Sequence, residues 1–199
     1  MADNVAITPG SGATVAADDI GSVLYQRVKV VHGADGSATD VSSASPLPTR
    51  RAWTTLVAAP TVTAGIYSAN DVVGGLLTFA SAVRDTGGHG RIHTIVLTDL
   101  TVTANVLNLW FYDTLPATIA DNGAFDIPDA EVPTLVGTVQ IAAADYLVAT
   151  DYQAATKLNV GFTYNCVATS LYCYIECVGT PTYASTSDIT LTLQVEYLD

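Results

Sequence analysis

The chain predicts an all-β fold, an antiparallel β-sandwich of eight strands with jelly-roll connectivity, preceded by an extended N-terminal arm. Three observations carry this. The apolar content is high, at 49%, yet it is dispersed as short Val, Leu, Ile and Tyr runs broken by Thr, Ser, Asn and Gly, which is β composition. Strict alternation recurs, most plainly over Ile189–Tyr197, where Ile189, Leu191, Leu193, Val195 and Tyr197 interleave with Thr190, Thr192, Gln194 and Glu196. No segment carries the longer period of a sustained amphipathic helix.

Residues 1–52 read as an arm and residues 53–199 as the sandwich domain. The arm is rich in Ala, Gly, Ser, Thr and Asp. Its one strand candidate is Val23–Val31, VLYQRVKVV, followed by the turn HGADG and by extended chain punctuated by Pro46 and Pro48. Such a piece buries too little apolar surface to fold alone and is expected to order by packing on something else.

From Trp53 onward the strand candidates are Thr61–Ser68, Gly75–Ala80, Ile92–Asp99, Val106–Asp113, Thr134–Ile141, Leu158–Tyr164, Leu171–Cys177 and Ile189–Tyr197. The first two are separated by a turn around Asn70 and Asp71. The third follows the loop DTGGHG, whose glycines tolerate positive φ. In the fourth, Leu107, Leu109 and Phe111 share one face, while Val106 and Trp110 make the opposite face less than wholly polar and suited to meeting a neighbour. A long connection, TLPATIADNGAFDIPDAEVP, precedes the fifth, and AAADYLVATDYQAA is expected to hold a short helical turn. The seventh places Leu171, Cys173, Ile175 and Cys177 inward and Tyr172, Tyr174 and Glu176 outward. Eight strands with one or two long connections is the count of a jelly roll. An immunoglobulin-like sandwich is the rival, without the Cys-Trp-Cys signature of true immunoglobulin domains.

At 199 residues the chain suits one domain with a sizeable core. No apolar run approaches the ~18 residues of a membrane span. The start, MADNVAITPG, has an acid where a secretory signal carries positive charge, and no signal peptide is expected. The net charge of −12 is unevenly placed. Residues 1–52 carry five acids against four bases, and residues 53–199 fourteen acids against three. So acidic a domain is repelled by nucleic acid and by anionic membranes, and neither is expected as a partner.

No constellation of catalytic residues stands out. His89 and His93 are four apart, but one is placed in a glycine loop and the other early in a strand, so no shared metal is expected. Asp121, Asp126, Asp129 and Glu131 supply oxygen ligands without the EF-hand spacing, and read as a solvated acidic loop with Asp residues capping turns. Cys173 and Cys177 lie about 13 Å apart on one strand, beyond the roughly 7 Å a disulfide spans, so these two and Cys166 are expected as buried free thiols. The P-loop, dinucleotide and nucleophile-elbow patterns are missing, and no cofactor is expected. Tyr172 and Tyr174 are candidates for an interface, because amphipathic tyrosines are favoured there.

Two sets of motifs resemble tailed-bacteriophage virion structural proteins. The leader DDIGSVLYQRVKVVHGADGSATDVSSASPLPTR is similar to an N-terminal segment recurring in such proteins, with a DIGG-like start, QRVK, a GADG turn and PLP. The stretches YSANDVVGGLLTF, RIHTIVLTD, LNLWFYD and DNGAFDIPDAE resemble the β-domain that follows it. The resemblance implies an oligomeric, non-enzymatic virion protein of the capsid decoration or head-fibre type, made in the host cytoplasm and held on the outer capsid surface. On that reading the partner is the major capsid protein, with Tyr25, Arg27, Lys29, Arg50 and Arg51 as contact candidates in the arm. Self-association, most simply as a cyclic trimer, has Val106, Trp110, Tyr172 and Tyr174 as interface candidates. A tail-associated receptor- or carbohydrate-binding module is the alternative. A depolymerase, which would need paired carboxylates in a cleft, is third.

Overall fold

A computed structural model describes residues 52–198, together with Ser42 and the backbone of four short strands nearer the N-terminus. The chain divides into two units, Met1–Arg50 and Arg51–Asp199. In the first, β1 (Ala17–Ile20) pairs antiparallel with β2 (Val23–Gln26), and β3 (Val31–His32) pairs with β4 (Thr39–Asp40). The expected strand Val23–Val31 is therefore described only at its two ends. Tyr25 lies in β2 opposite Asp18, whereas Arg27, Lys29, Arg50 and Arg51 fall outside the described residues.

The second unit is a sandwich of two antiparallel sheets. Its strands are β5 (Trp53–Ala58), β6 (Leu77–Phe79), β7 (His89–Asp99), β8 (Leu107–Tyr112), β9 (Leu135–Ile141), β10 (Tyr146–Val148), β11 (Gln153–Asn165), β12 (Leu171–Cys177) and β13 (Ile189–Tyr197). One sheet has the order β10-β11-β7-β13-β5 and the other β6-β12-β8-β9. Two 3-10 turns, Asp129–Thr134 and Ala143–Asp145, are the helical content of the described residues, the second falling within the stretch expected to hold a turn.

The alternating residues make the core. Ile189, Leu191, Leu193 and Val195 of β13 meet Leu107, Leu109 and Phe111 of β8 and Leu171, Cys173, Ile175 and Cys177 of β12 within one buried cluster. Full burial of side chains this size contributes about 1.5–3 kcal/mol each before the entropy cost of ordering them. Two aromatic rings of β11 lie over glycines, one on the adjacent strand β7 and one on β9 of the other sheet. Tyr164 covers its cross-strand partner Gly90, and Phe162 covers Gly137, where an added Cβ would come within 2.7 Å of the ring.

His93 is a bulge. Gln194 pairs with Thr94 but Val195 pairs with Ile92, so β7 carries one extra residue there, and Ile92 and Ile95 both face the core. Opposite it, β11 bulges through Asn159 and Gly161, both at positive φ. His89, expected in a loop, is instead the first residue of β7, because the strand continues through Gly90 to pair with Tyr164 and Asn165.

Two further expectations are corrected. Thr61–Ser68 is irregular chain touching a sheet-like partner only through the bridge Ile66 to Thr182. Its buried residues, Val62 and Tyr67, are an odd number apart, and its amides bond into the 181–186 loop, Val62 to the Thr186 carbonyl and Tyr67 to that of Pro181. The first strand is β5, an edge strand that buries Leu56 alone and so shows little hydrophobic alternation.

Buried Asp99 shapes one end of the sandwich. Its carboxylate accepts from Thr101 N and Oγ1 at 2.8 and 2.6 Å and from Gln153 Nε2 at 2.9 Å. Gln153 Oε1 in turn accepts from Ala104 N at 3.0 Å. These bonds hold a loop in which Val102 and Ala104 both adopt positive φ, a costly conformation for residues with a Cβ.

Candidate interaction surfaces

Each sheet has an outer face, and the two differ. Over the four-stranded sheet the connection between β8 and β9 folds back as a cover. Its residues 122–125 bond to residues 70–72, with Val72 N donating to Gly123 O and Phe125 N to Asn70 O. Residues 70–73 bond in turn to β12, extending that sheet beyond its named strands. Beneath the cover lies a second apolar cluster of Val72, Tyr112 and Tyr174, with Trp110, Ile119, Phe125, Leu135 and Tyr172 packed around it.

The outward face expected for Tyr172, Tyr174 and Glu176 is therefore not a wet one. Tyr174 is fully buried, donates from its hydroxyl to Ala117 O at 2.6 Å and accepts from Ile119 N at 3.0 Å. Burial raises its pKa, as it does for Tyr112, which is pushed up to about 12. Trp110 stacks at a tilt on Phe125, ring centroids 5.0 Å apart, and donates Nε1 to Glu176 Oε2 at 2.8 Å. Asn108 Nδ2 donates to the same oxygen at 3.1 Å. Val106 is half-buried, and its carbonyl accepts from Val178 N. Trp110, Tyr172 and Tyr174 thus pack against residues of the chain's own β8–β9 connection, whereas Val106 lies outside that cluster.

The acids of that connection divide by role. Asp121 accepts from Tyr67 OH and Gly74 N at Oδ1, both at 2.6 Å, and from Thr63 Oγ1 at Oδ2, at 2.7 Å. Glu131 accepts from Ala117 N at 2.8 Å. Asp126 and Asp129 are exposed. The two bonded carboxylates tie the cover down, in place of a uniformly solvated loop. Among the described residues no group of three His, Cys, Asp or Glu side chains is placed to hold a metal ion.

Among the described residues of the second unit, nothing folds over the outer face of the five-stranded sheet. Register places Val57, Thr192, Val96 and Thr156 in one row across β5, β13, β7 and β11, and Thr55, Gln194, Thr94 and Leu158 in the next. Val57 and Leu158 stay 61% and 67% exposed. At one end Trp53, 44% exposed, meets His93 edge-on at 4.9 Å. The charges there are Arg91 and Glu196, paired at 3.8 Å with Glu196 almost fully buried. In a domain with fourteen acids, this broad Thr, Val and Leu face carries no exposed carboxylate among the described residues. The signal was present in the sequence as the polar phase of the alternating strands. Without β5 the rows could not be assembled.

A small cleft opens where β7 begins and β11 ends. Its volume is about 330 Å³, with His89, Asp113, Thr163 and Asn165 at its polar rim and Leu135 and Val136 as apolar wall. Cys166, Cys173 and Cys177 are buried free thiols, each with its pKa raised by burial, Cys166 to about 12 with the Asp113 charge adding to the rise.

No protein-family model matches the chain, and no curated protein matches it. Among solved structures, a chain described as "Structure of infectious bursal disease virus Gx strain" aligns at 13% identity over 94% of this chain and 49% of that one, with a TM-score of 0.23. The present chain spans about half the length of that neighbour, and a likeness of this size carries no weight for function.

Proposed function

We propose that this chain is a non-enzymatic virion protein that binds the outer surface of a phage capsid through its N-terminal arm and decorates or stabilises the shell. The observation that carries the reading is the outer face of the five-stranded sheet, which among the described residues exposes no carboxylate in an otherwise acidic domain. Like-charged copies repel wherever carboxylates face each other, and this face is where two copies meet without that cost. Self-association, most simply as a trimer, uses it in preference to the four-stranded side that the β8–β9 connection covers. The jelly-roll reading is supported by strand order. Counting β5–β9 and β11–β13 as eight, the sheets run 1-8-3-6 and 2-7-4-5, with β10 an added edge piece.

The arm's role rests on the QRVK and PLP leader motifs and on its near-neutral charge. Deleting residues 1–45 is expected to leave a folded sandwich that no longer binds purified capsids in co-sedimentation. Full decoration by the truncated protein would remove the anchor assignment. The second reading, a tail-associated receptor- or carbohydrate-binding module, is favoured by the exposed Trp53 on the open face. It predicts host-cell adsorption that depends on Trp53 and is indifferent to capsid binding.

A further inference from the structure

We infer that the cleft between the start of β7 and the end of β11 is a binding site for an uncharged, pyranose-sized polyol, the terminal sugar of a glycan or a free monosaccharide. His89 and Asn165 are cross-strand partners, and Thr163 follows on the same strand. The three bring an imidazole, a carboxamide and a hydroxyl to one opening, and none makes a side-chain hydrogen bond among the described residues. Asp113, just after β8, adds a carboxylate whose Oδ1 accepts a long bond from Thr114 Oγ1, at 3.2 Å, and whose Oδ2 accepts none among the described residues. Leu135 and Val136 supply an apolar wall.

The chemistry of these groups selects the ligand. Vicinal hydroxyls each donate and accept, and they need a rim that does both. Asp113 accepts, while Asn165, Thr163 and His89 do either. An anion would meet the Asp113 carboxylate and the acidic domain around it. An organic cation would be better served by several carboxylates or an aromatic cage than by one acid among amide and hydroxyl groups. A volume of about 330 Å³ lies at the small end of ligand sites, sized for one sugar ring and not for a chain of them. The inference is independent of capsid binding, since it concerns the isolated protein.

The test is amide-resolved NMR titration of the full chain with the methyl pyranosides of glucose, galactose, mannose and N-acetylglucosamine, with methylammonium as the cationic control. At least one pyranoside is expected to shift the resonances of His89, Asp113 and Asn165 with a millimolar dissociation constant, as befits a site of few contacts. Asn165→Ala and Thr163→Val should each weaken that binding by about tenfold, with the thermal melt unchanged as proof of folding. Trp53→Ala should leave it unaltered. No shift at the cleft with any of the four sugars, shifts elsewhere only, or an equal response to methylammonium would each overturn the assignment.

Discussion

The Tyr67 hydroxyl donates to Asp121 Oδ1 at 2.6 Å across 54 residues of sequence. The bond joins the irregular segment before β6 to the cover over the four-stranded sheet. Two more donors, Thr63 Oγ1 and Gly74 N, converge on the same carboxylate, and Gly74 sits at φ +80 against Pro60, where a side chain has no room. Replacing Asp121 by Ala leaves all three donors without their acceptor. The expected cost is about 3 kcal/mol, the scale of stranding part-buried donors of a charge-assisted network. Asp121→Asn should recover part of it, and chemical denaturation of the two variants checks the order. Asp126→Ala, on the exposed part of the same loop, should be within about 0.5 kcal/mol of the parent.

Alkaline pH should destabilise the sandwich. Burial, the largest cause in each case, raises the pKa of Tyr67, Tyr112, Tyr146, Tyr174 and Tyr183 and of all three cysteines. For a group whose folded pKa is raised, the stabilisation is intact below the unfolded value and is lost as pH climbs from there towards the folded one. The unfolded values are about 8.5 for Cys and about 10 for Tyr, so the loss begins near pH 8.5 and steepens above 10. Melting temperatures measured from pH 7 to 11 should fall over that window. The thiols should also resist a thiol-reactive reagent at neutral pH until denaturant is added.

The Asp145 carboxyl is held below the ordinary carboxylate range, first by a hydrogen bond from Lys157 and then by the Ala142 amide. Lys157 Nζ lies 2.6 Å from Asp145 Oδ2. A lowered pKa gives stabilisation that is present above the unfolded value, about 3.9, and fades as pH drops through the folded one. Lys157→Met should move the Asp145 titration upward, read directly from its side-chain carboxyl carbon shift. The Ala142 amide should keep the midpoint from rising all the way to the ordinary value.

The fold class was legible in the sequence because period-2 alternation over β8, β12 and β13 reports one buried face directly. β5 was not legible, since an edge strand that buries Leu56 alone leaves almost no alternation to read. Neither was the covered face of β12. Tyr172, Tyr174 and Glu176 alternate outward as expected, and only the tertiary placement of residues 114–128 makes that exterior a second core. The acidic string Asp121–Glu131 had the look of a solvated loop because its partners, Thr63, Tyr67 and Gly74, lie some fifty residues away. The cleft at His89 was hidden for a related reason. His89 and Asn165 become neighbours through strand register alone, and no local spacing encodes it.

The open face of the five-stranded sheet gives the sharpest test of assembly. Val57→Glu and Thr192→Glu each place a carboxylate on adjacent positions of one row, pointing away from the core. Surface changes of this kind alter stability by about 0.5 kcal/mol or less, so the melt should barely move. If copies meet on this face, each subunit brings its own new charge into a desolvated contact, and sedimentation velocity should show monomers where the parent forms oligomers. Trp110→Phe supplies the contrast. It removes the donor to Glu176 beneath the cover and should cost about 1–3 kcal/mol of stability while leaving the oligomer intact. An oligomer lost on Trp110→Phe at temperatures well below its melt, but kept by both glutamate variants, would move the interface to the four-stranded side.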